Sequence, residues 1–372
     1  MADFSELADW IRLDNTPGIG PATARKLLTH FGLPAAIFAA DISQLRQLVS
    51  DPVAQALLSP LSPALKALVD RTLAWVQEPG HAMLTLADGS YPQSLLTISD
   101  PPTLLYAKGQ IGLLNQTPAM AIVGSRNATR QGRLDAERFA ASFSEAGWTV
   151  ISGLALGIDT AAHEGSLRAN ASTSRAGSTM AVIGTGVDIV YPARNRDLAH
   201  RIAEHGCLLS EYALGTPATA ANFPRRNRLI SGLSRGVLVV EAAAQSGSLI
   251  TARTALEQGR EVFAIPGSIH SPLSKGCHDL IRQGAKLVES AQDVLEEFGA
   301  WSRPAANTLA ATDKPSSQSD PLLTAMGFDP VHIDVLACTL SRSIASLSSE
   351  LLQMELAGLV EMLPGGIYRR LI

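Results

Sequence analysis

Three cysteines in 372 residues, Cys207, Cys277 and Cys338, stand far apart and form no C-x-x-C pair. That spacing argues against a disulfide framework or a zinc ribbon. Long apolar runs are also missing: no stretch of about 18 uninterrupted apolar residues offers a membrane span. The first residues, Met-Ala-Asp-Phe-Ser-Glu-Leu, bring neither a basic region nor an apolar core, so a cytoplasmic location is expected. Several enzyme signatures are absent. There is no G-x-x-x-x-G-K-[ST] loop and no H-E-x-x-H pair, and neither a cofactor nor a metal ion is expected. Gly232-Leu233-Ser234-Arg235-Gly236 matches G-x-S-x-G but precedes a strand, whereas a nucleophile elbow needs strand, turn, then helix. Charge of one sign is lacking too. Thirty Lys and Arg against 34 Asp and Glu leave −4, so any nucleic-acid site must be a local patch rather than a basic surface.

What is present describes an ordinary chain with a large core, 46% apolar and 17% charged. Its length implies two or three domains. Arginine heavily outnumbers lysine, and within Tyr212–Arg260 six arginines face only Glu241 and Glu257. Arginine is the better bidentate ligand for phosphate.

Residues 1–80 read as helices with short loops. Pro17–Leu28 has the form of a helix-hairpin-helix element, with glycines that permit a tight turn beside Arg25 and Lys26. A plain connection between two packed helices would look the same. Leu84–Gly109 is Pro-rich and reads as an irregular connector. From Ala119 strands alternate with helices. Strands are expected at Met120–Val123, Thr149–Ile151, Thr179–Ile183, Cys207–Leu209, Val237–Val240 and Val262–Ile265. Helices are expected at Thr129–Ala146, Asp159–Arg168, Arg196–Glu204 and Ser248–Gln258. This pattern implies a mostly parallel, doubly wound α/β sheet with ligands at the strand C-terminal ends. Residues 300–320, rich in Ala, Ser, Thr and Pro, read as a linker. Residues 321–372 read as helices closed by a hairpin around Gly365-Gly366, a winged-helix pattern.

One stretch dominates the functional reading: Asn222-Phe223-Pro224-Arg225-Arg226-Asn227-Arg228-Leu229-Ile230-Ser231-Gly232-Leu233-Ser234. Pro224 suits a first helical turn, where free N–H groups and the helix dipole favour an anion. Arg225, Arg226, Asn227 and Arg228 are expected to aim donors at it. Cations at that end work against helix stability, a conflict expected at functional sites. A solvated basic helix start paired with acids elsewhere is the alternative. Phe223 fits either a base-stacking platform or an anchor against the sheet. Gly124-Ser125-Arg126 supplies phosphate-binding parts after a strand. Ser152-Gly153 and Gln245-Ser246-Gly247-Ser248 open similar loops. Asp159 reads as a helix N-cap and His163 as a helix-surface histidine. Gly184-Thr185-Gly186 lacks the third glycine of a dinucleotide fingerprint. Donors spread over several loops with one aromatic suit a single strand better than a duplex.

The order of these motifs, with Tyr91-Pro92, Asp100-Pro101-Pro102, Gly157-Ile158-Asp159 and Pro266-Gly267, resembles the DNA-processing protein A family (DprA/Smf) along about the whole chain. The resemblance implies an extended Rossmann-like core at 81–299. It implies a SAM-like helix-hairpin-helix domain at 1–80 and a winged helix at 321–372. It implies a protein that binds single-stranded DNA, dimerises through the core, and loads the RecA recombinase onto incoming DNA in natural transformation. By the motif match, Arg126, Phe223 and Arg225–Arg228 fall in the DNA pocket. The full candidate set is Gly124, Ser125 and Arg126; Ser152 and Gly153; Asn222, Phe223, Arg225, Arg226, Asn227, Arg228 and Ser231; Gly247 and Ser248. One departure stands out: family members often carry a basic residue before the Phe-Pro, where this chain reads Ala218-Thr219-Ala220-Ala221.

Two other readings compete. A Rossmann-like enzyme acting on a nucleotide or sugar-phosphate would also use sheet-edge loops. Related phosphoribohydrolases, however, usually show a Pro-Gly-Gly-x-Gly-Thr loop, absent here. A winged-helix regulator of duplex DNA would need a basic recognition helix, whereas Ser346–Ala357 carries Glu350, Glu355 and no Arg or Lys. That composition suits a protein contact better.

Overall fold

The order β6-β5-β4-β3-β7-β8-β9 forms the parallel part of a nine-stranded sheet in the computed structural model, which describes residues 4–116, 118–172, 177–299 and 320–371. These strands are β3 (Ala119–Val123), β4 (Thr149–Ser152), β5 (Thr179–Val182), β6 (Cys207–Ser210), β7 (Gly236–Val239), β8 (Glu261–Ala264) and β9 (Lys286–Leu287). The first six, β3 to β8, lie close to the expected runs, and β9 is an addition that the sequence pattern does not show. Two further strands, β1 (His81–Thr85) and β2 (Leu104–Gly109), extend the sheet antiparallel beyond β6. The connector expected at Leu84–Gly109 therefore contributes two strand segments to the sheet. Between them, Asp88–Pro102 is held by Tyr91, whose buried hydroxyl donates to Pro102 O at 2.7 Å. Prolines hid the strand signal because they crowd the turn between the strands.

Both faces of the sheet are covered, as a parallel sheet requires. Ala119, Ala121 and Val123 of β3 join the core on one face, and Met120 and Ile122 join the core on the other. This is the two-residue alternation of a strand buried on both sides. Helix Arg130–Glu145 packs on the second face, started by Thr129, whose hydroxyl accepts from Gly132 N at 2.9 Å. The chain leaves β3 towards β4, β5 and β6, then returns to pair β7 on the other side of β3. That reversal makes a crevice at the strand C-terminal ends.

Six helices precede β1, from Phe4–Asp14 to Pro63–Val76. The first and last of these pack against the sheet, whereas the helices between them close a core of their own around Leu13, Ala24, Leu27, Ile37, Leu45, Ala54 and Leu57. Leu7, Trp10, Ile11 and Val69 share a core with Met83, Tyr106 and Ala181, and residues 1–298 form one compact unit.

The second unit contains helices Pro321–Met326, Ile333–Leu340 and Ile344–Leu356 with strands β10 (Val331–His332), β11 (Val360–Leu363) and β12 (Ile367–Arg370). Gly365 and Gly366 turn the β11–β12 hairpin with φ of +89° and +74°, a left-handed region that favours glycine. Leu347, Leu351 and Met354 of the last helix are buried in this unit's core, whereas Leu352 and Leu356 stay exposed. The linker expected at 300–320 lies outside the described residues except for its last position. Among the described residues no helix is long and apolar enough to cross a membrane, and no group of His, Cys, Asp and Glu could hold a metal ion.

Candidate nucleic-acid interface

A cavity of about 720 Å³ opens at the crevice beside β3 and β7. Its floor is the loop after β3, Val123 to Asn127. One wall is the start of helix Asn222–Leu233, through Phe223, Pro224, Arg226, Asn227 and Ile230. The opposite wall is Gln245 to Ser248. Arg126 is exposed at the rim. Phe223 and Tyr191 meet as a tilted pair with ring centroids 5.5 Å apart, and both line the cavity. The Phe223 ring lies close to Gly184, where an added Cβ would sit 3.1 Å from it. Gly184-Thr185-Gly186 is thus a loop that makes room for this ring.

The first turn of the helix separates its cations. Arg226 turns inward: Nη1 donates to Gly153 O at 2.6 Å and to Val182 O. Burial pushes the Arg226 guanidinium down to about 10, with Asp159 acting in the opposite sense. Arg228 points away from the cavity into an ion pair with Glu211 and with Asp100, Nε to Oδ2 at 3.0 Å. Arg225 is half exposed and approaches Glu211 at 3.6 Å. The expectation that all three arginines aim at one ligand is corrected: of the three, only Arg226 lines this cavity. Sequence carries no direct sign of this, because the partners Asp100, Asp159 and Glu211 come from other parts of the chain.

Ser152 and Gly153 lie behind the cavity rather than on it. The Ser152 hydroxyl donates to Ile122 O at 2.7 Å, and Gly153 N donates to Asp159 Oδ2 at 3.1 Å. Asp159 is not the N-cap expected. It sits inside helix Ile158–Ser172 and its carboxylate accepts from Gly153 N and, at 3.2 Å, from Ala155 N. Burial raises the Asp159 carboxyl above the usual range, opposed chiefly by Arg226. His163 is not on the surface either. It is fully buried, with Nδ1 2.7 Å from Thr179 Oγ1. Asn222 donates to Gly184 O at 3.0 Å, and Ser231 donates to Gln258 Oε1 at 2.7 Å. Neither lines the cavity. Gly124, Ser125, Gly247 and Ser248 do, with Ser248 Oγ 2.7 Å from Ser246 Oγ.

Three lining or supporting residues had escaped the sequence reading. Asn127 and Tyr191 line the cavity. Glu241, at the end of β7, accepts from Thr129 N at 2.9 Å and from Thr129 Oγ1 at 2.6 Å, tying the loop after β3 to β7. Its place as one of only two acids in an Arg-rich stretch is the available signal for Glu241.

Residues 82–299 match the model of the family described as DNA recombination-mediator protein A, more than half of the chain. The chain belongs to that family. Flanking matches agree: a SAM-like helix-hairpin-helix tandem at 11–61 and the DprA winged helix domain at 304–366. Protein Smf of Escherichia coli (strain K12) is 41% identical over 308 residues, covering 81% of this chain and 80% of its own. The crystal structure of DNA processing protein A from Streptococcus pneumoniae is 39% identical, with a TM-score of 0.63 over 78% of this chain and 97% of that one. DNA processing protein A of Helicobacter pylori, whose structure addresses its single-stranded DNA binding mode, is 27% identical. Its TM-score is 0.52 over 59% of this chain and 95% of that one. In this member of the family the wall before Phe223 is uncharged, since Ala218 and Ala220 line the cavity there.

Proposed function

We propose that the crevice beside β3 and β7 binds single-stranded DNA, and that the protein protects incoming strands and loads the RecA recombinase onto them. The observation that carries this is Arg126, exposed and, among the described residues, without a hydrogen-bond or ion-pair partner for its side chain, on the rim of a cavity that also presents the Phe223–Tyr191 pair. A guanidinium free to meet phosphate beside stacking rings suits a strand of unpaired bases. The Helicobacter relative, structurally alike over most of this core, binds single-stranded DNA. The DNA contacts would come from Gly124, Ser125, Arg126, Phe223, Arg226, Asn227, Gly247 and Ser248.

The role is binding and mediation rather than catalysis. The acid that lines the cavity, Asp159, already accepts two loop amides and faces Arg226, so it is not poised to move a substrate proton. Dimerisation through the Rossmann-like core and a cytoplasmic location complete the reading, on the family's pattern. The test is a titration of the protein with labelled single- and double-stranded oligonucleotides across a salt series. Filament formation by the recombinase is then followed on the bound strand. Tight, salt-dependent binding of the single strand and faster filament growth are expected. Equal affinity for duplex, or no effect on filament growth, would overturn the proposal.

A further inference from the structure

Beyond Arg126 the cations continue out of the crevice. From Arg126 to Arg133 the chain reads Arg-Asn-Ala-Thr-Arg-Gln-Gly-Arg, three arginines and no acid. Arg130 and Arg133 stand at the start of helix Arg130–Glu145, about 4.5 Å apart along its axis, and neither lines the cavity. Chain length alone keeps the Cα of Arg130 within about 14 Å of that of Arg126. Helical side chains lean towards the helix N-terminus, so both are directed towards the strand C-terminal ends, where the crevice opens. Arg133 shows this directly: its Nη1 donates to Ala128 O at 3.2 Å, in the loop after β3.

Neither cation serves the helix. Its first turn holds no acid, and a cation there works against the helix dipole by about 0.3–1 kcal/mol. Arg133 is exposed and Arg130 half-buried. Among the described residues the Arg130 side chain has no hydrogen-bond or ion-pair partner, and Arg133 has only the Ala128 carbonyl. The nearby acids are engaged elsewhere. Glu241 accepts from Thr129 N and Oγ1. Asp135 accepts from Gln131 Nε2 at 2.7 Å and is countered by Arg138. In a chain that carries −4 overall, three guanidinium groups within eight residues form a local basic patch.

We infer that the single strand leaves the crevice at Arg126 and runs over the start of helix Arg130–Glu145, with Arg130 and Arg133 on phosphates beyond those held in the cavity. The inference rests on the reading of the crevice as a single-strand site and adds to it a direction and a length. No aromatic stands between Arg126 and Arg133. A row of guanidinium groups without stacking rings grips backbone rather than bases, so this part of the path accepts any sequence. The wall before Phe223 offers no such cation, since Ala218 and Ala220 line it. The crevice thus reads the unpaired bases at its rings, and the helix start holds the strand that emerges.

The test uses the full-length protein and thymidine oligonucleotides of about 6 and about 20 nucleotides, near the low end of single-strand site sizes and above their range. The double variant Arg130→Ala, Arg133→Ala is expected to bind the short strand as the unsubstituted protein does, which also shows that it is folded. On the long strand it should bind roughly tenfold more weakly, for two lost phosphate contacts. The slope of log affinity against log salt should become shallower there by roughly 1.4, about 0.7 for each contact. The double variant Arg130→Lys, Arg133→Lys should keep most of the long-strand affinity, because a phosphate track needs charge rather than a planar fork. Undiminished long-strand binding by the alanine variant, or losses of equal size on both strands, would overturn the path while leaving crevice binding intact. Binding of neither strand by the unsubstituted protein would overturn the single-strand reading itself and this path with it.

Discussion

Arg226 Nη1 donates to Gly153 O at 2.6 Å across 73 residues of chain, and the same nitrogen reaches Val182 O at the end of β5. One guanidinium thus fastens the start of helix Asn222–Leu233 to the ends of two neighbouring strands. The cost of burying it is offset by Asp159, which in turn holds the loop after β4 through Gly153 N and Ala155 N. The residue that seemed to break the rules of helix design is a tertiary staple as well as part of the cavity wall.

Arg226→Ala removes that staple and leaves Asp159 buried without its countercharge. A loss of about 3–5 kcal/mol in unfolding free energy is expected. Arg226→Lys should recover little, because an ammonium lacks the planar fork. Guanidinium chloride denaturation measures this, and a loss under about 1 kcal/mol would show that the buried pair contributes little.

Arg126→Ala should behave in the opposite way. Its side chain is exposed, so stability should stay within about 0.5 kcal/mol. Affinity for single-stranded DNA should fall, and the slope of log affinity against log salt should become shallower by roughly 0.7 for one lost phosphate contact. Fluorescence anisotropy across a salt series decides this, and an unchanged slope would remove Arg126 from the interface.

Phe223→Ala removes the ring paired with Tyr191. A loss of about 1–3 kcal/mol in single-strand binding is expected if a base stacks there. Gly184→Ala should give a smaller loss, because the new Cβ would press on the ring from 3.1 Å. Anisotropy titrations of both variants test the platform. Full retention of affinity in Phe223→Ala would reduce the ring to an anchor.

His163 supplies a pH dependence. Thr179 Oγ1 donates to Val150 O at 2.9 Å, so it accepts from His163 Nδ1–H. Nε2 is left buried and unpaired. Burial pushes the His163 imidazole down to about 3, and Arg226 adds to the shift. The unfolded chain takes up this proton near pH 6.5, whereas the folded protein does so only near pH 3. Stability from this group is therefore full above pH 6.5 and is lost as pH falls towards 3. His163→Asn, which can keep the donor to Thr179, should flatten that acid limb in melting curves taken from pH 7 to pH 4. An unaltered limb would assign it to other groups.

Local chemistry explains why so much of the fold was legible. Short apolar runs ending in Gly and Ser, each followed by a helical stretch, can bury both faces only in a parallel sheet. Such a sheet puts its loops at one edge, so Gly124–Arg126 and Gly247–Ser248 could be placed together from their positions after β3 and β7. Leu84–Gly109 was misread because its prolines mask two antiparallel strands whose partners are each other and β6.

By itself the sequence determined the order of the strands and helices from β3 to β8, the glycine turns and the helix beginning at Asn222, because these depend on residues near one another. Only the tertiary structure decided which way the cations of that helix point. Arg226, Arg228 and Arg225 are neighbours in sequence, but their partners are Asp159, Asp100 and Glu211, brought in by three different strand connections. A charged side chain turns inward only where a buried countercharge waits, and that depends on packing across the sheet.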